Sequence, residues 1–234
     1  MRILGIESST AAGSAAVVEG EVLVGEVWFA GAGTHSQMLM VGVARVLEIT
    51  GTNPQSLSGV AVGLGPGSFT GVRVALSTAK GLALGLGIPL VGVPTLEILA
   101  AGAAQICGLV CPMVDARAQR IYTALFRFLD GSMQEVKEEA LRDLMPWLLS
   151  LGEPVLFVGD GALEYRALIK EALGDLARFG PVECTLPRAA TVARLGAGRI
   201  KRGEYDDLDL LAPRYAMEAK AVRDMASSTI SHAG

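Results

Sequence analysis

The chain has 234 residues, of which 51% are hydrophobic and only 19% are charged. This composition excludes a disordered protein, whose bias is the opposite, and the length suits one large domain or two small ones. The net charge is −4, and the Lys and Arg residues form no basic stripe. We therefore do not expect the chain to bind nucleic acid by itself.

Three features indicate a cytoplasmic protein. The first residues carry a single basic side chain and then a charge at Glu7, which is unlike a signal peptide. No uncharged stretch supplies the ~20 apolar residues that a membrane span needs. The three cysteines, an odd number without a secretory signal, predict reduced thiols.

The first hundred residues predict a mixed sheet with helices packed on it. Three strands open the chain as an antiparallel meander, because Glu19-Gly20 is a hairpin signal between the second and the third. Two more strands then alternate with helices. The predicted strands are 2–7, 15–18, 22–29, 59–64 and 89–93, and the predicted helices are 35–50, 70–86 and 95–104.

The second half repeats this order more loosely. Its predicted strands are 109–114, 120–128 and 155–158, and its predicted helices are 141–151, 165–173 and 191–202. We therefore predict two similar αβ domains, the first over residues 1–104 and the second over 105–216 with a returning C-terminal segment. Residues 217–234 are expected to be a flexible tail.

Two predicted helices, 35–50 and 70–86, are apolar on all sides, and a helix of this kind is normally buried on all sides. On the second of them Ser77, Gly81 and Gly85 lie four residues apart, so another helix could approach closely. The pattern predicts contact with a second subunit; the alternative is that the second domain or the C-terminal segment covers these faces. The predicted interface residues are Met38, Val41, Arg45, Arg73, Val74, Ser77 and Gly81.

A glycine-rich loop joins a predicted strand to a predicted helix, which is a position where phosphate groups often bind. The fingerprints of nucleotide-binding loops are absent: Gly71 is followed by Val72-Arg73 where a P-loop has Lys-Ser/Thr, and Ser68 replaces the third glycine of a dinucleotide motif. The local sequence favours a tight turn with a capping Ser or Thr. The residues of this structural motif are Gly65, Pro66, Gly67, Ser68, Thr70 and Gly71.

No catalytic or metal-binding constellation is evident. The chain has two histidines, His35 and His232, which cannot form a zinc site together with the scattered cysteines Cys107, Cys111 and Cys184. The cysteines are better explained as small buried hydrophobic residues. We therefore expect no catalytic residue, no bound metal and no cofactor.

Several motifs together resemble the TsaB (YeaZ) family. The nine residues from Gly65 to Arg73 are the most specific of them, and the similarity extends over about residues 1–216. Just after Tyr215 the chain has Ala216-Met217, where family members often have Leu-Arg. The supporting motifs are Leu4 to Thr10, His35-Ser36-Gln37, Pro112 to Arg117 with Tyr122, and Pro213-x-Tyr215.

The resemblance implies an ASKHA fold, which consists of two actin/hexokinase-like domains. It also implies a role in making threonylcarbamoyladenosine next to the anticodon of tRNAs that read codons beginning with A. In that pathway TsaB-like proteins pair with the catalytic subunit TsaD, the ATPase TsaE joins them, and a separate enzyme supplies threonylcarbamoyl-AMP. The tRNA would then be contacted indirectly, through the complex.

A comparison with the catalytic paralogue explains why this chain is expected to be non-catalytic. TsaD-like proteins have a His-Leu-Glu-Gly-His metal motif where this chain has Thr95 to Leu99, so both nitrogen ligands are missing. They also have a Ser-Gly-Gly-His phosphate turn where this chain has Asp115-Ala116-Arg117-Ala118, and the Asp115 carboxylate would repel an anion unless Arg117 compensates. Only Glu7, Ser8 and Arg117 remain as weak candidates for cofactor contacts.

Three hypotheses follow. The first is a non-catalytic subunit that pairs with TsaD, or with a second copy of itself when TsaD is scarce. The second is an enzyme that acts alone, either an ASKHA-type ATPase or small-molecule kinase, with Glu7 to Thr10 as a phosphate loop, or a metallopeptidase, which lacks ligands here. The third is a generic binding module. The sequence leaves open whether the resting form is a homodimer or a heterodimer.

Overall fold

The computed structural model of the protein describes residues 1–30, 35–103, 108–129 and 131–214. Its first half forms a five-stranded sheet with the strand order β3-β2-β1-β4-β5. Strands β1 to β3 are antiparallel neighbours, whereas β4 pairs in parallel with both β1 and β5. The elements are β1 Arg2–Glu7, β2 Ala12–Glu19, β3 Val22–Ala30, α1 His35–Ile49, β4 Gly59–Gly63, α2 Phe69–Leu86, β5 Leu90–Val93 and α3 Thr95–Gly102.

The second half forms another five-stranded sheet, with the order β10-β9-β6-β7-β8. An antiparallel meander again supplies three strands, and its first strand pairs in parallel with β9. The two halves thus share one topology. The elements are β6 Gly108–Asp115, β7 Arg120–Leu129, β8 Ser132–Asp143, α4 Leu144–Leu149, β9 Val155–Val158, α5 Asp160–Glu164, α6 Arg166–Leu173, β10 Ala177–Phe179 and α7 Ala189–Lys201.

Strand β1 is apolar on both faces because helices cover both sides of the first sheet. Leu4 and Ile6 belong to the core that also contains residues of α1 and α2, whereas Ile3 packs with residues of α7 on the opposite face. Helix α7 lies so close that a Cβ atom added at Gly5 would overlap the carbonyl oxygen of Ala189. The chain therefore returns from its second half to cover the first sheet.

The chain after α7 runs along the open edge of β5. The backbone N–H of Asp206 donates to the carbonyl of Leu90 at 2.9 Å, while Leu208 and Leu211 pack against the first core. The backbone N–H of Arg214 then donates to the carbonyl of Leu64 at 2.8 Å. This segment thus covers an edge strand that would otherwise be free to pair with another chain.

Most predicted elements are present, but the prediction for the second half contains errors. The helix predicted over 141–151 begins only at Leu144, because the preceding residues belong to strand β8. The sequence pattern does not predict β8, whose three Glu residues, one Lys, one Arg and one Asp obscure the strand pattern, nor β10, which has only three residues. The predicted domain boundary at residues 104 and 105 and the predicted tail over 217–234 lie outside the described residues.

Among the described residues, no helix is long and apolar enough to cross a membrane.

The cores of the two halves are built from the covered faces of the two sheets. Cys111 illustrates this in the second core, where its Sγ atom lies 3.2 Å from Thr123 Oγ1 and accepts a hydrogen bond from Trp147 Nε1 at 3.4 Å. Burial raises the pKa of the Cys111 thiol to about 11.

We predict that Cys111 is unreactive in the folded protein, because a buried thiol with a raised pKa offers little thiolate. In a Cys107→Ser/Cys184→Ser variant, Ellman's reagent should label the remaining thiol only as fast as the protein unfolds. The same variant in denaturant is the control and should react at once. Rapid labelling of the native variant would contradict the buried position of Cys111.

Candidate functional site

The glycine loop connects β4 to α2, and its geometry is that of a helix start. The hydroxyl of Ser68 caps α2 by accepting a hydrogen bond from the backbone N–H of Gly71 at 3.2 Å. The peptide bond between Gly65 and Pro66 is cis, and Gly65 has a φ of 91°, which favours glycine. Pro66 is buried, whereas Thr70 is exposed on the first turn of the helix.

This loop is packed directly against the backbone that follows β1. The N–H of Ser68 donates to the carbonyl of Ser9 at 2.6 Å. A Cβ atom at Gly67 would overlap that same carbonyl oxygen, and one at Gly71 would overlap the carbonyl oxygen of Ser8. The glycines therefore permit a close contact within the chain, and the space beside the start of α2 is filled by the chain's own backbone rather than left open for a phosphate.

Glu7 and Ser8, two of the weak candidates for cofactor contacts, lie at the end of β1 and are buried. Glu7 Oε1 accepts a hydrogen bond from the backbone N–H of Ser9 at 2.5 Å. Burial raises the pKa of the Glu7 carboxyl, although hydrogen bonds from Ser9 and Ser8 act in the opposite direction. The buried carboxyl of Glu7 is therefore part of the interior of the sheet and is not displayed at the surface.

The third weak candidate, Arg117, lies in the turn between β6 and β7. Its guanidinium is exposed and lies 3.4 Å from Asp115 Oδ2. Asp115 Oδ1 accepts hydrogen bonds from the Arg117 N–H at 2.9 Å and from the Tyr165 hydroxyl at 2.7 Å. The carboxylate of Asp115 is thus the anion that this turn already holds, and Arg117 partly neutralises it.

Arg117, Ala118 and Gln119 all have positive φ angles, between 54° and 65°. Such a run is rare for residues other than glycine and carries a conformational cost. Further hydrogen bonds hold it in place, one from the Arg120 N–H to the Arg117 carbonyl at 3.1 Å and one from the Leu144 N–H to the Gln119 carbonyl at 2.9 Å. No local sequence pattern predicts this conformation or the contact with Tyr165.

Helix α3 begins at Thr95, where the catalytic paralogue has its metal motif. Thr95 and Leu99 are buried, and Glu97 forms an ion pair of 2.6 Å with Arg199 of α7. Within the ranges that the structure describes, no group of three or more His, Cys, Asp or Glu residues could hold a metal ion. The start of α3 therefore offers threonine, leucine and an ion-paired glutamate instead of two imidazoles.

A cavity of about 640 Å³ lies beside this ion pair, between the first sheet, the returning segment and strands β7 and β8. Two of its charged side chains pair with each other, Arg214 and Glu139 at 3.6 Å, and Asp206 accepts a hydrogen bond from the backbone N–H of Gly92 at 2.8 Å. We had not predicted this cavity, because its residues come from segments more than a hundred positions apart.

The outward faces of α1 and α2 are exposed in the single chain. Val41 on α1 is 60% exposed and Leu84 on α2 is 74% exposed. Leu84 is not one of the predicted interface positions, but Val41 is. Of the remaining predicted positions Val74 is half-buried against the first core, and the rest are exposed: Met38, Arg45, Arg73, Ser77 and Gly81. Among the described residues, neither the second half of the chain nor the returning segment covers this surface, which we call the α1–α2 face.

The repeated sheet order, with a helix-covered meander and two parallel strands in each half, defines an α/β protein of the actin/hexokinase-like (ASKHA) class. A family model described as "TsaD: tRNA N6-adenosine threonylcarbamoyltransferase" matches residues 30–223. The TsaB protein of Bacillus subtilis is 34% identical over 94% of this chain and 96% of its own length. That of Escherichia coli is 37% identical over 92% of this chain and 94% of its own.

A solved structure supports the same family as these relatives. YeaZ from Pseudomonas aeruginosa superposes with a TM-score of 0.75 and 26% identity, covering 92% of this chain and 99% of the other. The chain belongs to the TsaB (YeaZ) family. The two bacterial relatives are named as tRNA threonylcarbamoyladenosine biosynthesis proteins.

We predict that Gly71→Ala destabilises the protein by about 2–4 kcal/mol, because the new methyl group would overlap the Ser8 carbonyl in a tightly packed region. Urea unfolding of the purified chain measures this change. The control is Gly198→Ala in α7, where the added Cβ meets only the flexible end of Arg202 at 3.5 Å. It should increase stability by up to about 1 kcal/mol through helix propensity. Equal stability of both variants would contradict the close contact of the loop.

Proposed function

We propose that this protein is a non-catalytic subunit required for threonylcarbamoyl modification of the adenosine next to the anticodon, in tRNAs that read codons beginning with A. It acts by pairing with the catalytic subunit TsaD, together with the ATPase TsaE. When TsaD is scarce it forms a homodimer, and it works in the cytoplasm. The relatives supply the pathway, since two of them carry its name over nearly their whole length.

The observation that carries the pairing is the α1–α2 face. Apolar side chains such as Val41 and Leu84 are exposed there in the single chain, and contiguous exposed apolar surface is typical of protein–protein interaction sites. A Cβ atom added at Gly81 or at Gly85 would meet nothing within 4 Å. A partner helix can therefore approach the backbone of α2 closely, which increases the packing contact per residue.

The charges of the face indicate what the partner should present. Helix α2 carries Arg73 and Lys80 and no acidic residue. The Arg73 guanidinium lies 3.9 Å from the centre of the Phe69 ring, and on α1 Arg45 is already paired with Glu48 at 2.6 Å. We therefore expect a partner surface with an apolar centre and at least one acidic group near α2.

The second candidate function, an ASKHA-type ATPase or small-molecule kinase acting alone, needs two phosphate-binding turns. In this chain the candidate phosphate loop from Glu7 to Thr10 is covered by the glycine loop at its Ser8 and Ser9 carbonyls, and the Asp115 carboxylate holds the turn of the second half. Both features disfavour a bound triphosphate, which supports the non-catalytic role. Stabilisation of the isolated chain by ATP would favour the kinase instead.

The first test is reconstitution of tRNA threonylcarbamoylation from TsaD, TsaE and the enzyme that makes threonylcarbamoyl-AMP, with and without this chain. Modified tRNA should form only when the chain is added, while the chain alone hydrolyses no ATP. Equal activity without it would mean that the family is right and the assigned role is wrong.

The second test concerns the α1–α2 face. Ser77→Glu and Gly81→Glu should each abolish pairing with TsaD, because a carboxylate would lose its hydration in an apolar contact. The control is Ala167→Glu, which makes a similar change on an exposed position of α6 and should pair normally. Size-exclusion chromatography with light scattering gives the mass of the complex, and circular dichroism checks the fold. An unchanged mass for the α2 variants would contradict the assigned face.

A further inference from the structure

Unpartnered polar atoms are concentrated at one end of the first sheet. Within the described residues, four buried side-chain atoms have no hydrogen-bond partner, and three of them belong to residues near the ends of β1 and β5. These atoms are Glu7 Oε2, Ser9 Oγ and Thr95 Oγ1. Their residues are only 1%, 2% and 0% exposed. Buried polar groups are nearly always paired, so a cluster of three unpaired oxygens requires an explanation.

The topology places these residues at one edge of the first sheet. Strand β4 lies between β1 and β5, and the register sets Ile6 opposite Val62 and Gly63 opposite Val93. Gly63 has no side chain, and a Cβ atom there would overlap Glu7 Oε2. The carboxyl of Glu7 therefore lies directly above β4, between the strand that it belongs to and the strand that leads to Thr95.

The glycine loop closes this region from above. Its Ser68 N–H is bonded to the Ser9 carbonyl at 2.6 Å, and its Gly65 carbonyl accepts a hydrogen bond from the Thr95 N–H at 2.8 Å. The backbones of Ser9 and Thr95 are thus held by the same loop. The hydroxyls of Ser9 and Thr95 and the carboxyl of Glu7 are therefore buried beneath the same loop, where a large ligand could not reach them.

The charge of Glu7 is not balanced by a basic side chain. Its pKa is raised by burial and lowered only by hydrogen bonds from Ser9 and Ser8; no Lys or Arg among the described residues contributes. A buried carboxylate is stable when it is paired with a cation or coordinates a metal, and it otherwise takes up a proton. The oxygens of one carboxyl and two hydroxyls suit a hard cation, and a single carboxyl balances one positive charge.

We propose that Glu7, Ser9 and Thr95 bind a small monovalent cation, K⁺ or Na⁺, beneath the glycine loop. The ion satisfies the three oxygens, balances the charge of Glu7 and holds the end of β1 to the start of α3. This site is distinct from the two-imidazole metal motif of the catalytic paralogue, which the chain lacks. It does not depend on the proposed function, because its effect is measured on the isolated chain.

The experiment is thermal unfolding of the purified chain in KCl, NaCl or N-methylglucamine chloride at equal ionic strength. The pH is about 7.5, within the range where most proteins are stable. A ligand that binds only the folded state raises the melting temperature in a saturable manner. We expect a rise of about 3–5 °C in one of the alkali chlorides over the organic salt. The salt that gives the larger rise identifies the preferred ion. Equal melting temperatures in all three salts would overturn the proposal.

Two variants locate the site. Glu7→Gln keeps the shape of the side chain but removes the charge, so its melting temperature should be the same in all three salts. Thr95→Val removes one oxygen and should shift the midpoint of the ion titration about tenfold upward, by analogy with the loss of one well-placed ligand contact. This second variant decides the question if Glu7→Gln does not fold.

The matched control is Glu19→Gln, which removes an exposed carboxylate paired with Arg2 at the opposite end of β2. It should keep the full response to the alkali ion. An ion response that persists in Glu7→Gln, or that is unchanged in Thr95→Val, would place the ion elsewhere and overturn the assignment.

Discussion

The contact between the glycine loop and the backbone of Ser8 and Ser9 is the constraint on which the first half of the molecule depends. It fixes the start of α2 against the end of β1, and it is possible only because Gly67 and Gly71 lack side chains. The same loop receives the Thr95 N–H at the start of α3, and the neighbouring Leu64 carbonyl receives the Arg214 N–H of the returning segment. Four parts of the chain therefore meet at one loop.

The two halves of the protein share a sheet topology, yet each of the turns where a nucleotide phosphate could bind is filled by the chain's own groups. In the first half these are backbone carbonyls, and in the second half the group is the Asp115 carboxylate with Tyr165 and Arg117 around it. A hydrogen-bond donor that is already paired gains little from a new ligand, because the existing partner must be displaced first. In the part of the chain that the structure describes, these two turns are therefore occupied by internal contacts.

The α1–α2 face has a different character, since its exposed side chains are apolar and its small residues leave the backbone accessible. Hydration of exposed apolar surface costs free energy, and this cost is removed when a second helix packs against the surface. The proposed partner-binding role rests on this contrast between filled turns and an open helical face. The internal ion proposed beneath the glycine loop would belong to the supporting interior rather than to this face.

Much of the architecture followed from local sequence patterns. The opening meander and the strand–helix alternation are both predicted, because apolar periodicity and turn residues act over short distances. The prediction is wrong at β8, an edge strand rich in charged residues in which no side chain is fully buried, and at β10, which is too short to form a pattern. The TsaB (YeaZ) motifs identified the family from the residues around the glycine loop.

The tertiary structure alone decided how the distant segments meet. In the sequence Glu7, Ser9 and Thr95 are separate residues of two motifs, but the strand order brings the ends of β1 and β5 to the same edge of the sheet, on either side of β4. Likewise Asp115 looked like a group that would repel a ligand, whereas the structure uses it to bind Tyr165, fifty positions away. Local patterns determine which elements form, because they depend on neighbours in the chain. Pairing, burial and charge depend on contacts between distant residues, and these exist only once the chain has folded.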